Sequence, residues 1–186
     1  MIVLPFFSKS RNTLSFRNFV SWRNSIRFTV VKLIQLITIP NNILIYVTRK
    51  EHFNASHRLH NPEKSDEWNR ETYGKCNNPN WHGHNYLIEV TVAGYPDPDT
   101  GYVIDLGVLK KIISKTILEP CDHKNLNLEV PFLEGINPTS ENLVREFYYQ
   151  LQEDVNNAAS KNATLFSVKL FETERNIAEY CPDRAS

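Results

Sequence analysis

Residues 86–93, with the sequence YLIEVTVA, alternate between two sets of side chains with a period of two. Ile88, Val90 and Val92 fall on one face of an extended segment, and the residues between them fall on the other. The segment is also rich in β-branched residues, which favour strands over helices. The chain is therefore expected to form a sheet in which this strand buries one of its two faces.

Further strand and helix signals surround this segment. Runs rich in β-branched and aromatic residues predict strands at residues 43–57, 102–105, 165–171 and 177–181. An amphipathic helix is predicted over residues 106–118, with Asp105 as its N-cap and Pro120 ending it. A second helix is predicted to begin at a cap supplied by Thr139 or Ser140, with its apolar residues on one stripe.

The predicted element order is β-β-β-α-α-β-β, with residues 156–163 as a polar linker. Hairpin-connected strands with both helices in the middle of the chain indicate an α+β fold, in which the helices cover one face of an antiparallel sheet. An open four-stranded sheet of this kind leaves two edges, and such edges favour pairing with other subunits.

Composition limits the function classes. The chain has 186 residues, of which 41% are hydrophobic and 23% charged, which suits one globular domain with a sizeable core. Basic and acidic residues both number 21, and this zero net charge argues against a general nucleic-acid binder. Three cysteines without a disulfide-like pattern indicate a reducing compartment, and we expect a cytoplasmic protein.

The charge is unevenly distributed. Residues 1–48 hold six of the 21 basic residues and none of the 21 acidic ones. The longest uncharged run there, residues 33–48, contains Pro40 and is shorter than the roughly 20 apolar residues of a membrane helix, so we expect no membrane span. Residues 1–42 are treated as a basic extension ahead of a domain at 43–186. The extension fits three interpretations: an organelle-targeting segment, a disordered arm, or translated upstream sequence outside the native protein.

The stretch GKCNNPNWHGHNY, residues 74–86, contains a His-Gly-His motif. If the following strand begins near residue 81, His82 and His84 point to the same face. His57, at the end of the first predicted strand, can supply a third imidazole. Three neutral imidazoles with one open position describe a catalytic zinc centre, although other first-row metals also bind nitrogen ligands. An isolated His-x-His is more often a surface pair, so the metal site depends on His57 lying close by.

Three further residues suggest proton-transfer chemistry. Cys76 lies in a polar loop beside Lys75, and a cationic neighbour and a nearby metal both favour the thiolate. Two roles remain open for it, a fourth metal ligand or a base beside the metal. Asp122 and His123 place a carboxylate next to an imidazole, which can tune a proton shuttle. Adjacent residues do not normally hydrogen-bond side by side, however, so an ordinary polar loop is the alternative.

Six motifs together identify a resemblance to a known family. They occur in the order FNASHRLHNP, YGKCNNPNWHGHNY, GYVIDLGVLKK, CDHKNLNLEVP, PTSENL and LFETERN, between residues 44 and 180. In sequence and order they resemble the 6-pyruvoyl-tetrahydropterin synthases and the related 6-carboxytetrahydropterin synthases. The resemblance implies the tunnelling fold (T-fold), a β-β-α-α-β-β unit with a four-stranded sheet. It also implies trimers whose sheets close into a barrel, stacking of two trimers into a homohexamer, and active sites between subunits.

The resemblance also implies residue roles. The zinc ligands would be His57, His82 and His84, and the proton-transfer set would be Cys76, Asp122 and His123. The carboxylate of Glu172 would anchor the pterin ring by accepting hydrogen bonds from its N–H groups. The same pocket would be lined by Thr139, Ser140 and Glu141.

The implied substrate is 7,8-dihydroneopterin triphosphate. Zinc would bind its two side-chain hydroxyls and acidify the adjacent C–H groups. Cys76 would then take a proton, triphosphate would leave, and a second transfer through His123 would give the 6-pyruvoyl product.

Two alternatives remain. The 6-carboxytetrahydropterin synthases of the queuosine pathway use the same substrate, but their cysteine often stands three residues before the motif. Five residues separate Cys76 from His82 here, which favours the pyruvoyl type. Trp81 departs from the small residue common before the first histidine in the animal enzymes. A pterin-binding module that keeps zinc but lacks turnover is the second alternative.

Overall fold

The computed structural model describes residues 44–182 and contains a five-stranded sheet with the strand order β3-β1-β2-β4-β5. The strands are β1 (Ile45–His57), β2 (His82–Gly94), β3 (Lys124–Asn125), β4 (Ala163–Phe171) and β5 (Ile177–Tyr180). The neighbours β1, β2, β4 and β5 pair antiparallel, which confirms the predicted four-stranded antiparallel sheet. The predicted extension at residues 1–42 lies outside the described residues.

The fifth strand was not predicted. Strand β3 has only two residues and pairs parallel with Ala55 and Ser56 near the end of β1. No period-two pattern can form in so short a segment, which is why sequence analysis assigned it to a loop.

Three helices accompany the sheet. Helix α1 spans Asp66–Tyr73, α2 spans Leu106–Ile113, and α3 spans Ser140–Ala158. Helices α2 and α3 cover one face of the sheet, as predicted. The core between them contains Phe53, Tyr86, Ile88, Val90, Leu109, Ile113, Leu143, Phe147 and Leu151, all nearly or fully buried. None of the helices in residues 44–182 combines the length and the apolar character that a membrane span requires.

The predicted end of α2 was wrong. The helix does not stop before Pro120 but continues through a π-helical turn, Ser114–Leu118, into a last turn at Glu119–Cys121. The wider turn leaves Pro120 at the start of this last turn, where its missing N–H costs little. The extra turn carries the chain directly to Asp122.

Two other boundaries differ from the prediction. Residues 102–105 do not form a strand, because their hydrogen bonds go to separate loops. The carbonyl of Val103 accepts from Ser160 N at 2.8 Å, and the carbonyl of Tyr102 accepts from Asp97 N at 2.8 Å. Helix α3 also runs three residues into the predicted linker, which is therefore shorter than residues 156–163.

Helix α1 fastens the segment that follows β1. Ser65 caps the helix by accepting from Trp68 N, and the fully buried Asn69 reaches back to the preceding loop. Its side-chain oxygen accepts from Asn61 N at 2.7 Å, and its amide donates to the carbonyls of Asn61, Lys64 and Ser65 at 2.9, 3.3 and 3.0 Å. One side chain thus holds the loop that links the end of β1 to α1.

Replacing this asparagine should destabilise the fold. Asn69→Ala leaves the Asn61 N–H without its partner and removes one hydrogen bond from each of three carbonyls, and we expect the free energy of unfolding to fall by about 2–4 kcal/mol. Denaturant unfolding measures this. Glu71→Ala, an exposed change on the same helix, should shift stability by no more than about 0.5 kcal/mol. Equal effects of the two changes would contradict the assigned role of Asn69.

Candidate active site

The register of β1 against β2 brings three histidines together at one end of the sheet. His57, the last residue of β1, lies opposite His82, and Ala55 lies opposite His84. Alternation puts all three imidazoles on the helix-covered face. Each offers a ring nitrogen, and these atoms lie within 4.8 Å of one another. The predicted convergence of the three histidines is therefore present, and the triad can hold a metal ion.

The triad has unsatisfied nitrogens. In the described part of the chain, His57 Nε2, His84 Nε2 and both ring nitrogens of His82 are buried without a hydrogen-bond partner. Each such atom costs about 1–3 kcal/mol if nothing binds it. His57 Nδ1 lies 2.9 Å from the carbonyl oxygen of Pro138. Donation of the Nδ1 proton to that carbonyl leaves the lone pair on Nε2, the form a metal ligand requires.

Burial also keeps the ligands neutral. It lowers the pKa of His57 from 6.5 to about 4, because a buried imidazolium loses its hydration, and His82 and His84 lower the pKa slightly further. The Pro138 carbonyl opposes this shift. Burial lowers the pKa of His84 as well. Both rings are therefore neutral near pH 7, as metal binding demands.

Tyr86 packs against the triad and was not predicted as a site residue. Its ring centroid lies 6.0 Å from that of His57 and 5.5 Å from that of His84, and its hydroxyl is 3.3 Å from His57 Nδ1. Burial raises the pKa of Tyr86 far above its ordinary value. The signal was available, because a residue two positions after His84 on a strand must share its face.

A cleft of about 740 Å³ opens beside the triad. His82, His84, Cys76 and Glu172 are among its lining residues. Glu172 directly follows β4, and its Oε1 lies 3.7 Å from His57 Nε2 and 3.8 Å from His84 Nε2. The proposed ligands, thiol and carboxylate thus lie around one cavity.

Cys76 is held by a tight turn. It lies in the 3-10 turn Gly74–Asn77, which Gly74 enters with a φ of 53°, a left-handed conformation that favours glycine. The Cys76 carbonyl accepts from Leu59 N at 2.9 Å. The buried Asn77 donates to the Leu59 carbonyl at 2.7 Å. These bonds tie the turn to the segment that follows the triad histidine of β1. Asn77, like Tyr86, was missed from the sequence.

The electrostatics of Cys76 differ from the expectation. Burial raises the pKa of its thiol, and the carboxylate of Glu172 raises it further. The prediction that Lys75 favours the thiolate is therefore wrong for the metal-free chain, because these two effects outweigh an exposed ammonium that water screens. Among residues 44–182, the group of converging potential ligands contains the three histidines but not the Cys76 sulfur.

Asp122 and His123 form a pair after all. Asp122 Oδ2 lies 2.9 Å from His123 Nδ1, and Asp122 Oδ1 accepts from Asn54 N at 2.8 Å. The two side chains meet because His123 has a φ of 59°, which bends the backbone between them. The hydrogen bond donated by Asn54 N lowers the pKa of Asp122, and the hydrogen bond donated by the His123 side chain lowers it further. The carboxylate thus stays ionised and orients an imidazole that is 77% exposed.

Within one chain this pair is separated from Cys76. The groove beside His123 is lined by Asn54, Ser56, Gly83 and Asn85, which alternate with the triad residues along the strands, and also by Ala55 and His84, but not by Cys76. Cys76 lines the cleft on the helix-covered side. A single chain therefore does not bring the three predicted proton-transfer residues together.

The residues at the start of α3 cap the helix and form its first turn. Thr139 is the N-cap and accepts from Asn142 N at 3.3 Å, while Ser140 and Glu141 form the first turn. They follow Pro138, whose carbonyl contacts His57. Their part in a binding pocket stays a prediction.

Trp81 has an unusual backbone. Its φ is 66°, in the left-handed region, directly before His82. A non-glycine residue there costs roughly 1–2 kcal/mol. The tryptophan that stands in place of the small residue expected before the first histidine thus lies in a strained turn. Trp81 is not among the residues that line the cleft.

Comparison with known proteins identifies the family. A model of the 6-pyruvoyl tetrahydropterin synthase family matches residues 46–183. The chain belongs to this family. The family predicted from the six motifs is therefore confirmed.

Relatives with curated names agree with the family match. The 6-pyruvoyl tetrahydrobiopterin synthase of Poecilia reticulata is 46% identical over 142 residues, which cover 76% of this chain and 92% of the relative. The human protein of the same name is 44% identical over 134 residues, covering 72% and 89%. A 6-carboxy-5,6,7,8-tetrahydropterin synthase from Rickettsia conorii is only 28% identical, over 73% of this chain and 99% of the relative.

A solved structure confirms the fold. The 6-pyruvoyl tetrahydropterin synthase of Caenorhabditis elegans aligns with a TM-score of 0.67 at 39% identity, over 75% of this chain and 96% of that chain. The chain thus shares the T-fold of this pterin synthase.

The lowered pKa of His57 predicts that the stability of the metal-free protein depends on pH. Its folded-state pKa of about 4 lies below the unfolded value of 6.5, so the unfolded state binds the proton more tightly between these values. Stability should therefore fall as the pH drops through this window. We expect a loss of roughly 2 kcal/mol from His57 between about pH 7 and pH 5, with His84 acting in the same direction.

Unfolding of chelator-treated protein at a series of pH values measures this slope. His57→Gln should flatten most of it, whereas His52→Gln should leave it unchanged, because His52 is exposed on the other face of β1. A full slope in the His57→Gln protein would contradict the assignment.

Proposed function

We propose that this protein converts 7,8-dihydroneopterin triphosphate to 6-pyruvoyl-tetrahydropterin with elimination of triphosphate, and that its metal is zinc. The observation that carries the proposal is one cleft whose lining combines His82 and His84 of the converging histidine triad with Cys76 and Glu172. Animal relatives at 44–46% identity bear the name 6-pyruvoyl tetrahydrobiopterin synthase. As members of one family they support a lyase with this chemistry.

The donor set fits zinc. Three imidazole nitrogens match a catalytic zinc site with one open position, and the buried unpaired nitrogens supply the donors. Bound there, zinc supplies a Lewis acid that polarises the substrate's side-chain hydroxyls and acidifies the neighbouring C–H groups. The Pro138 carbonyl keeps His57 in the tautomer that presents Nε2.

Cys76 acts as the base and not as a ligand. Its sulfur lies outside the converging group, and a fourth protein ligand would close the position that the substrate hydroxyls need. Burial and Glu172 keep the thiol protonated in the metal-free chain. A metal held by the triad would add positive charge that offsets both effects and favours the thiolate. Cys76 would then take a proton from the carbon chain of the substrate.

Glu172 holds the pterin ring. Its carboxylate reaches the cleft from the end of β4, and Asn176 orients it by donating to Oε2 at 3.3 Å. Two carboxylate oxygens match the adjacent ring N–H and amino donors of a pterin. Thr139, Ser140 and Glu141 line the pterin pocket beside Pro138.

A second copy of the chain completes the proton-transfer set. The exposed His123, oriented by Asp122, approaches the Cys76 of a neighbouring subunit. Two open edges support assembly: β3 covers only Ala55 and Ser56 of β1, and β5 is an edge strand whose Ile177 is 51% exposed. Trimers closed through these edges, stacked in pairs, make the proposed homohexamer.

Two further points belong to the proposal. The protein works in a reducing compartment, the cytoplasm, which the free Cys76, Cys121 and Cys181 support. Residues 1–42 are dispensable for the activity, because the family match begins at residue 46.

Product identity tests the function. Zinc-loaded protein supplied with 7,8-dihydroneopterin triphosphate should release triphosphate and yield a product with the mass of 6-pyruvoyl-tetrahydropterin. The mass of 6-carboxytetrahydropterin, with release of a two-carbon aldehyde, would establish the alternative reaction. Binding of substrate without any triphosphate release would leave only a pterin-binding module.

Replacement of the base should separate metal binding from turnover. Cys76→Ala should keep stoichiometric zinc and bind substrate, yet lose at least about 10²-fold in turnover, the low end for a positioned proton-transfer group. Metal analysis beside steady-state kinetics measures both. A Cys76→Ala protein that has lost its zinc would make the cysteine a ligand, and the base role would then be wrong.

A further inference from the structure

Three basic side chains from three different elements line the same cleft as the triad. Arg58 directly follows β1, Arg70 lies in the last turn of α1, and Lys75 precedes Cys76 in the 3-10 turn. We call these residues the basic rim. The proposed reaction assigns none of them a role, although two are sequence neighbours of His57 and Cys76.

The charges of the basic rim are largely unneutralised. Within residues 44–182, neither Arg58 nor Lys75 has a carboxylate within ion-pair distance, whereas Arg70 pairs with Glu67 at 2.5 Å. Besides Glu172, the acidic residue on the cleft lining is Asp66. Two uncompensated cations at the mouth of a concave site create a positive potential that attracts anions.

Arg58 is also preorganised. Its Nε donates to the Asn77 backbone oxygen at 3.0 Å, and one Nη donates to Asn77 Oδ1 at 3.3 Å. Asn77 is buried and is itself bonded to the Leu59 carbonyl. A guanidinium has five N–H donors, so this neutral partner fixes the group but leaves three donors and the full charge for a ligand. Less entropy is then lost when an anion binds.

The basic rim lies next to the reacting centre in the chain. Leu59 N donates to the Cys76 carbonyl at 2.9 Å, which couples the Arg58 segment to the Lys75–Cys76 turn. A fixed guanidinium fork and an ammonium on the lining of one cleft suit a ligand with several phosphate oxygens, because arginine binds phosphate through parallel N–H bonds and lysine acts as a point charge.

We propose that Arg58 and Lys75, assisted by Arg70, form the subsite for the triphosphate group of the substrate. The inference rests on the proposed function for the identity of the phosphorylated ligand. The cavity of about 740 Å³ holds this basic rim together with Glu172. The pterin and the triphosphate therefore bind to side chains of opposite charge, which fixes the orientation of the substrate over the metal site.

Binding of inorganic triphosphate to the full-length, metal-loaded protein tests the subsite without requiring turnover. Calorimetry should show that Lys75→Gln and Arg58→Gln each weaken this binding by at least about tenfold, the effect of one charged hydrogen bond. Asp66→Asn should strengthen it, because that change removes a negative charge from the same lining. Lys111→Gln, an exposed lysine on α2, is the matched control and should have no effect.

A second set of measurements separates a binding role from a structural one. Dihydroneopterin without phosphates should bind Lys75→Gln and the unaltered protein equally, and the metal content should not change. If Arg58→Gln fails to fold, Lys75→Gln and Asp66→Asn carry the test. Triphosphate affinities of these variants equal to that of Lys111→Gln would overturn the subsite.

The proposed function and the subsite fail separately. Absence of turnover in a protein whose triphosphate binding depends on Lys75 would reject the function and retain the subsite. Normal turnover with triphosphate binding and KM unchanged in Lys75→Gln would reject the subsite and retain the function.

Discussion

The antiparallel register between β1 and β2 is the constraint on which the site depends. It places His57 opposite His82 and, four residues further along β2, Phe53 opposite Tyr86. Because side chains alternate with a period of two, the register that buries the aromatic pair also brings the three imidazoles together. A slip of one residue would turn His82 to the opposite face and expose Tyr86. The hydrophobic core thus specifies the convergence of the histidine triad, and the stacked Phe53–Tyr86 rings, with centroids 5.0 Å apart, help to hold the register.

Buried polar side chains stabilise the loops that lie beyond the apolar core. Asn69 and Asn77 are both buried. Asn69 satisfies four backbone groups of the loop after β1, and Asn77 bonds the Leu59 carbonyl and the side chain of Arg58. Amides can donate and accept at once, so they fix irregular loops that no helix or sheet ladder reaches. The rigidity of this polar layer lets loop residues act as positioned chemical groups, while the neutral amides leave the cleft's charges available to a ligand.

Local periodicity explains what could be predicted. The long strands, the amphipathic helices and the shared face of His82 and His84 follow from spacing alone, and the predicted end of the first strand supplied His57 as a third candidate ligand. The wrong predictions concern residues whose structure depends on partners that are distant in the sequence. Residues 102–105 bond to two separate loops, Pro120 is accommodated by a π-helical turn, and the Asp122–His123 contact needs a left-handed backbone at His123. The pKa of Cys76 likewise depends on Glu172, which only the folded chain brings near.

The outer edge of β1 has a consequence for the newly made chain. In residues 44–182, β3 covers only Ala55 and Ser56, so the earlier part of this 13-residue strand has no neighbouring strand on its outer side. Such an edge is a template for any extended segment, including that of an unfolded neighbour. The proposed assembly of copies and aggregation would therefore compete for the same hydrogen bonds, and the outcome would depend on how quickly folded copies meet. Under this competition, a mutation that slows assembly would lower the yield of soluble protein without altering a single residue of the cleft.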